Sequence, residues 1–262
     1  MCTIVVLRKL RDDYPLVLAT NRDEFYARLS TGPERLLDQP ATVGGRDLVK
    51  GGTWMGVTRE GLFVGVTNQR AVRPPDPSKR SRGELVLNAL RLGTRDAVTR
   101  FLRGVDAREY NAFNLMWGDA HELFAAYARE DHGALEIERV PEGVHVLPND
   151  RLDSADFPKV TRAQALLSPF VHGPYPELER ALKGMLADRE LPPLETLPDL
   201  PLPKSMSREF LHELSALCIR TPLYGTRTST VVALTPGGVG RYLYADGAPD
   251  QSEFVDVTPL FG

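Results

Sequence analysis

Runs of this chain with strand character come in neighbouring pairs, and so do most runs with helix character; that order limits the folds open to it. The β-branched, apolar run at 3–8 is followed by the turn residues Asp12-Asp13-Tyr14-Pro15 and a second apolar run, Leu16 to Thr20, which predicts a hairpin. The polar segment Asn21-Arg22-Asp23-Glu24-Phe25 then breaks the pattern and reads as a loop at a strand end. Thr53–Thr58 and Leu62–Asn68 predict two more strands turning at Gly61, and 69–80 a polar loop. Ser81 and Glu84 have capping-box spacing, and Leu85, Leu87, Leu90 and Leu92 supply an apolar face before Gly93, so a helix is expected there. Val98, Phe101 and Leu102 fall at helical spacing and predict a second helix over 95–103. Strands are expected near 112–118, 122–129, 134–140 and 143–147, helices at 158–169 and 175–188, and a proline-rich loop at 189–206. A helix near 207–217 and strands near 227–234, 239–244 and 253–257 complete the order. A parallel α/β sheet needs strand and helix to alternate one by one, which they do not. The expected class is α+β, two antiparallel sheets packed together with helices outside, in one domain over 1–262.

The N-terminal run constrains the chemistry. A strand that begins at Thr3 pins the start of the chain inside a sheet, and Cys2 stands at that start. Removal of Met1 is expected when residue two is small, and it leaves Cys2 with both a thiol and an α-amine. That amine has a pKa near ~8, so nucleophile and base sit on one residue. The same residue also fits a plain buried strand start. Arg22 could hold a carboxylate or favour the ionised sulfur, and Asp23 or Glu24 could hold the amine; the segment also fits a solvated turn. Asn68, Asn111 and Asn114 could donate to a developing oxyanion or cap strands and loops. Arg227, in the donor-rich stretch 224–230, is a second candidate arginine. Gly44-Gly45 and Gly51-Gly52 have neither Walker nor dinucleotide spacing and read as a tight loop before the strand that holds Trp54.

Several classes are set aside. A net charge of −3 does not suggest nucleic acid, and the basic run Arg70, Arg73, Lys79, Arg80, Arg82 reads as a solvated loop. Two cysteines, Cys2 and Cys218, make no disulfide framework, and Cys218 joins Leu211, Leu214 and Leu217 at helical spacing as a core residue. The five histidines include no i, i+4 pair, no metal site is expected, and no cofactor is required. With no signal-peptide pattern and no apolar run of spanning length, a cytoplasmic protein without a membrane span is expected.

Taken in order, MCTIVV, NRDEF at 21–25, GGRD at 44–47, GGTWMGV at 51–57 and VTNQR at 66–70 resemble the NRDE family of transport-and-Golgi-organisation-type proteins. YNAFNL at 110–115, GVHVLPNDRLDSADFPKV at 143–160 and YGTRTSTV at 224–231 extend the resemblance over nearly the whole chain. It implies an N-terminal-nucleophile hydrolase-like fold, a four-layer αββα sandwich. By resemblance Cys2 is the nucleophile position, with Arg22 and Asp23 beside it and Asn114 and Arg227 as further catalytic candidates. Asn21, Glu24, Trp54 and Asn68 are the candidates for holding substrate. Two functions follow: cleavage of a non-peptide amide, or carriage of a small hydrophobic or anionic ligand such as haem or an acyl thioester. The choloylglycine-type hydrolases set their arginine and aspartate several residues apart, whereas Arg22 and Asp23 are adjacent here. Pro148 also stands where relatives commonly carry a serine before Asn149.

Overall fold

The computed structural model describes residues 2–71, 74–129, 132–198 and 206–262; Met1, Arg73, Asp131 and part of the expected loop at 189–206 lie outside the described residues. β1 (Thr3–Arg8) and β2 (Leu16–Phe25) form the expected hairpin. β2 does not end at Thr20. It runs on through Asn21–Phe25, because a neighbouring strand pairs with it as far as Phe25 and satisfies a backbone that the polar side chains alone would leave in a loop. β3 (Ser30–Leu37) and β4 (Thr42–Asp47) fall where no strand is expected, and Gly44–Asp47 lies in β4 and not in a loop. Neither segment carries the apolar alternation that announces a strand.

The remaining elements lie close to their expected places. They are β5 (Met55–Thr58), β6 (Phe63–Asn68), α1 (Arg82–Leu90), α2 (Arg95–Arg103), β7 (Phe113–Gly118), β8 (Leu123–Ala128), β9 (Glu136–Arg139) and β10 (Gly143–Leu147). Then come α3 (Pro158–Leu167), α4 (Tyr175–Leu186), α5 (Arg208–Glu213), β11 (Tyr224–Thr235), β12 (Gly238–Asp246) and β13 (Val255–Asp256). Because α5 stops at Glu213, Cys218 lies beyond the helix on which its spacing placed it, although it is buried as expected.

The strands form two sheets, β10-β1-β2-β11-β12-β13 and β3 to β9 in sequence order. Side chains alternate across each strand. Ile4, Val6, Leu16 and Leu18 therefore face the second sheet and pack with Met55, Val57 and Phe63. Val5, Leu7, Val17 and Ala19 face outward onto α3 and α4 through Val160, Leu167, Leu178 and Leu182. On the far side, Val64, Leu115 and Trp117 meet Leu85, Leu90, Val98 and Leu102 of α1 and α2. The result is the expected α+β, four-layer αββα sandwich. Both faces of β1 are covered, which is why its sequence is a continuous apolar run. No described helix is long and apolar enough to cross a membrane.

The loop from β10 to α3 is tied by His145, whose Nδ1 lies 2.6 Å from Asp153, while Asp153 also accepts from the Val146 N–H at 2.8 Å and from Gln164 at 3.1 Å. The hydrogen bond to Asp153 raises the His145 pKa above its ordinary value. A raised folded value means the imidazolium contributes stability in full below the unfolded value of about 6.5, and that contribution is lost as pH rises through the folded value. Urea midpoints of the wild-type protein should therefore fall more steeply between about pH 6 and pH 8.5 than those of His145→Gln.

Candidate functional site

Register decides which side chains meet. Thr3 pairs with Asn21, so Cys2 lies opposite Arg22. Both are in step with the residues that face the second sheet, and both line a cavity of about 230 Å³ together with Trp54, Val66, Asn68 and Arg82. Asn21 and Asp23 are in step with Val17 and Ala19 and turn toward the helices. Adjacency thus sends Arg22 and Asp23 to opposite faces of one sheet. Asp23 still borders the cavity, and its backbone N–H points at the Cys2 sulfur.

The glycine-rich stretches seat this cavity. Arg22 is only 4% exposed; its guanidinium lies 4.4 Å from the Trp54 ring and donates to Ser30 Oγ at 3.2 Å. A Cβ on Gly45 would come within 2.2 Å of that indole, so the glycine in β4 makes room for Trp54. A Cβ on Gly52 would come within 2.3 Å of the Gly83 backbone, and Thr53 N–H donates to Gly83 O at 3.1 Å. These contacts bring the start of α1, with Ser81, Arg82 and Gly83, to the cavity wall. The glycines serve close packing around the site, not merely a turn before Trp54. Asn111 closes a loop at the mouth by accepting from the Asp76 N–H at 2.7 Å and donating to Asp76 O at 2.8 Å.

Other candidates stand elsewhere. Asn114 is fully buried, and its amide donates to Thr67 Oγ1, Pro148 O and Asp150 O at 3.1, 3.2 and 2.9 Å. Its donors are thus committed to the loop at 148–150, and it does not line the cavity. Arg227 sits at the β-bulge of β11 and donates to the carbonyls of Phe25, Tyr26 and Arg28 at 3.3, 2.6 and 3.4 Å. It buttresses the end of β2 and does not line the cavity. Asn21 donates to Leu186 O and Leu217 O and accepts from Ser229, so it locks the sheet to the helical side. Glu24, Trp54 and Asn68 do line the cavity.

Two residues escaped the sequence reading. Arg82, assigned there to a solvated loop, lines the cavity. Lys159, in the first turn of α3, is 2% exposed, and its Nζ has no hydrogen-bond partner among the described residues. Burial lowers its pKa, and the charges of Asp23 and Cys2 oppose that. A lysine directly after the helix-starting proline was a readable oddity, because a cation is disfavoured at a helix N-terminus. Burial likewise pushes the Asp23 carboxyl up, against the Lys159 charge and the hydrogen bond from Thr226 Oγ1 at 2.6 Å. Burial also pushes the Cys2 thiol up, and the Asp23 charge adds to this, while Arg22 and the Asp23 backbone N–H favour the thiolate.

A larger hollow of about 600 Å³, lined by Tyr14, Tyr175, Glu179, Lys183 and Arg241 among others, has no cysteine, serine or threonine among the described residues that line it. Its carboxylate Glu179 is matched by Lys183 at 2.7 Å and Arg241 at 3.1 Å. The Cys2 cavity, although smaller, is where thiol, cations and aromatic ring converge.

The family model described as Transport and Golgi organisation 2 matches residues 1–243. The chain is 30% identical over 244 residues to a transport and Golgi organization protein 2 homolog of Bos taurus, covering 87% of this chain and 85% of the relative. The mouse homolog is 29% identical over 245 residues with the same coverage. Among solved structures, the C2A mutant of a conjugated bile acid hydrolase from Clostridium perfringens has a TM-score of 0.57 at 12% identity, covering 100% of this chain and 94% of that one. A Caenorhabditis elegans N-acylethanolamine-hydrolyzing acid amidase ortholog also has a TM-score of 0.57 at 12% identity, covering 90% and 93%. These likenesses show a shared N-terminal-nucleophile hydrolase fold.

Proposed function

Because the chain belongs to the transport and Golgi organisation 2 family, and its cavity sets a thiol beside an arginine, we propose that Cys2 is the nucleophile of an amide-cleaving site. The observation that carries this reading is the register that puts Cys2 and Arg22 on one face at one cavity. The naming of the solved neighbours as bile acid hydrolase and acid amidase supports the chemistry. Once Met1 is removed, the Cys2 α-amine takes the thiol proton, and Asp23 holds that amine from the far face of the sheet. The thiolate attacks the amide carbonyl carbon, the C–N bond breaks, and the amine passes its proton to the departing nitrogen, leaving a thioester on Cys2. Water then cleaves the thioester, releasing a carboxylic acid and restoring the thiol. Since the Asn114 donors are committed elsewhere, Asn68 at the cavity wall takes the role of oxyanion donor. The test is turnover of a panel of N-acyl amides by protein whose mature N-terminus is established by intact mass. Turnover that vanishes in Cys2→Ala supports the reading; no turnover by a processed wild-type chain ends it.

A second reading, carriage of a hydrophobic anion without turnover, is favoured by the burial that holds the thiol protonated. The cavity of about 230 Å³ falls below the ~300–1,000 Å³ that encloses a drug-sized ligand, so haem would lie across its mouth and not within it. A saturable haem spectrum that changes in Cys2→Ala would support carriage.

A further inference from the structure

The cations around the Cys2 cavity are not all matched by carboxylates. Arg28 meets Asp47 at 2.6 Å and Glu24 at 3.8 Å, and Arg80 meets Glu84 at 3.1 Å and Glu109 at 2.9 Å. Arg22 and Arg82 differ. Neither has a carboxylate partner among the described residues. Among the described residues the Arg22 guanidinium lies over the Trp54 ring and gives one hydrogen bond, to Ser30, and that of Arg82 gives one, to Ala112 O at 3.2 Å. Arg22 comes from β2 and Arg82 from the first turn of α1, so two separate elements bring guanidinium groups without an ion-pair partner among the described residues to one cavity beside one sulfur, with Glu24 and Asp47 at its wall acting on them only at longer range. Burying a guanidinium without an anion is costly, and the fold holds both in place by backbone and ring contacts that leave N–H donors to spare.

We propose that Arg22 and Arg82 form a seat for a small oxyanion, a carboxylate or a phosphate, so that the ligand of this cavity carries such a group close to the atom that Cys2 contacts. Arg82 thereby takes the place that the sequence assigned to Arg227, whose Nη1 is turned to three carbonyls at the end of β2 and away from the cavity lining. The seat rests on the reading of this cavity as the ligand site, and does not require turnover. The side chains that act on Cys2 include Arg22 and Asp23 from β2, Arg82 from α1 and Lys159 from α3, beside the α-amino group of the chain. Of these, Arg22 and Arg82 are the cations that line the cavity.

The test uses Cys2 as a reporter of local anion concentration. Iodoacetate and iodoacetamide are close in size and need the same thiolate, so the ratio of their rates cancels the thiol pKa and leaves the effect of charge. With alkylation assigned to Cys2 by peptide mass, the full-length protein should favour iodoacetate over iodoacetamide about tenfold more than glutathione does, the size of one charge-assisted contact. Arg82→Met should lose most of that preference, Arg82→Lys should keep part of it, and Arg227→Met should leave it unchanged. Acetate and inorganic phosphate should each slow carbamidomethylation of the wild-type protein, and the stronger of the two identifies the preferred anion. A wild-type ratio equal to that of glutathione, with no protection by either anion, overturns the proposal even if Arg82→Met fails to fold. So does an unchanged ratio in a folded Arg82→Met. Because no step depends on amide cleavage, a protein that shows this preference but no turnover would refute only the hydrolase reading.

Discussion

A chain with one bulky residue inserted between Met1 and Cys2 should lose amide turnover by about 10²–10⁴-fold while its thiol remains available to alkylation. The range is what a positioned general base contributes. The insertion blocks removal of Met1 and so denies Cys2 a free α-amine without touching the sulfur. The base is needed because burial pushes the Cys2 thiol up, leaving little thiolate at neutral pH. No histidine lines the cavity among the described residues, and Lys159 sits on the helical face of the sheet, where Asp23 turns. In the proposed mechanism the α-amine, with an ordinary pKa near ~8, is that base. The check is turnover and iodoacetamide labelling of the same preparations, with intact mass to establish each N-terminus. Labelling that persists while turnover collapses fits the mechanism. Full turnover by the blocked chain would show that the amine is not the base.

Much of this architecture could be read from the residues. The paired order of strands and helices yielded two sheets between helical layers, and the apolar run at 3–8 placed Cys2 at a pinned strand start. Register explains why the site was only half legible. That Cys2 and Arg22 share a face follows from Thr3 pairing with Asn21, a pairing that a hairpin's sequence leaves open by a residue or two. β3 and β4 were missed because their glycines, which a strand ordinarily avoids, are required there by Trp54 and its neighbours. Asn114 and Arg227 looked like donors for chemistry because sequence shows that a residue can donate, not to whom. In the fold both are occupied by backbone carbonyls. Arg82 was misread, and Lys159 passed over, for the converse reason: a charge in a polar loop or at a helix start is ordinarily solvated, and only packing shows otherwise.

If Lys159 is charged in the fold and its charge offsets that of Asp23, Lys159→Met should destabilise the protein by about 3–5 kcal/mol, the usual cost of leaving a buried charge without its counter-charge. Methionine matches the lysine stem in length and apolar character, so lost packing contributes little and the change reports on the charge. With the ammonium gone, Asp23 keeps the hydrogen bond from Thr226 but loses the one lysine that acts on it through α3. Its carboxyl, already pushed up by burial, should rise further. A carboxyl whose folded pKa lies above the unfolded value of about 3.9 makes the native state most stable when protonated, so stability falls as pH rises through the folded value. The penalty in Lys159→Met should therefore be smaller near pH 5 than near pH 8. Asp23→Asn removes the carboxylate charge, and Lys159→Met combined with Asp23→Asn should recover a substantial part of the loss, giving a favourable coupling in a double-mutant cycle. Urea unfolding of the four proteins at both pH values measures this. If Lys159→Met proves neutral or stabilising at pH 8, the lysine is uncharged in the fold, and the two groups do not form an ion pair across the helical face.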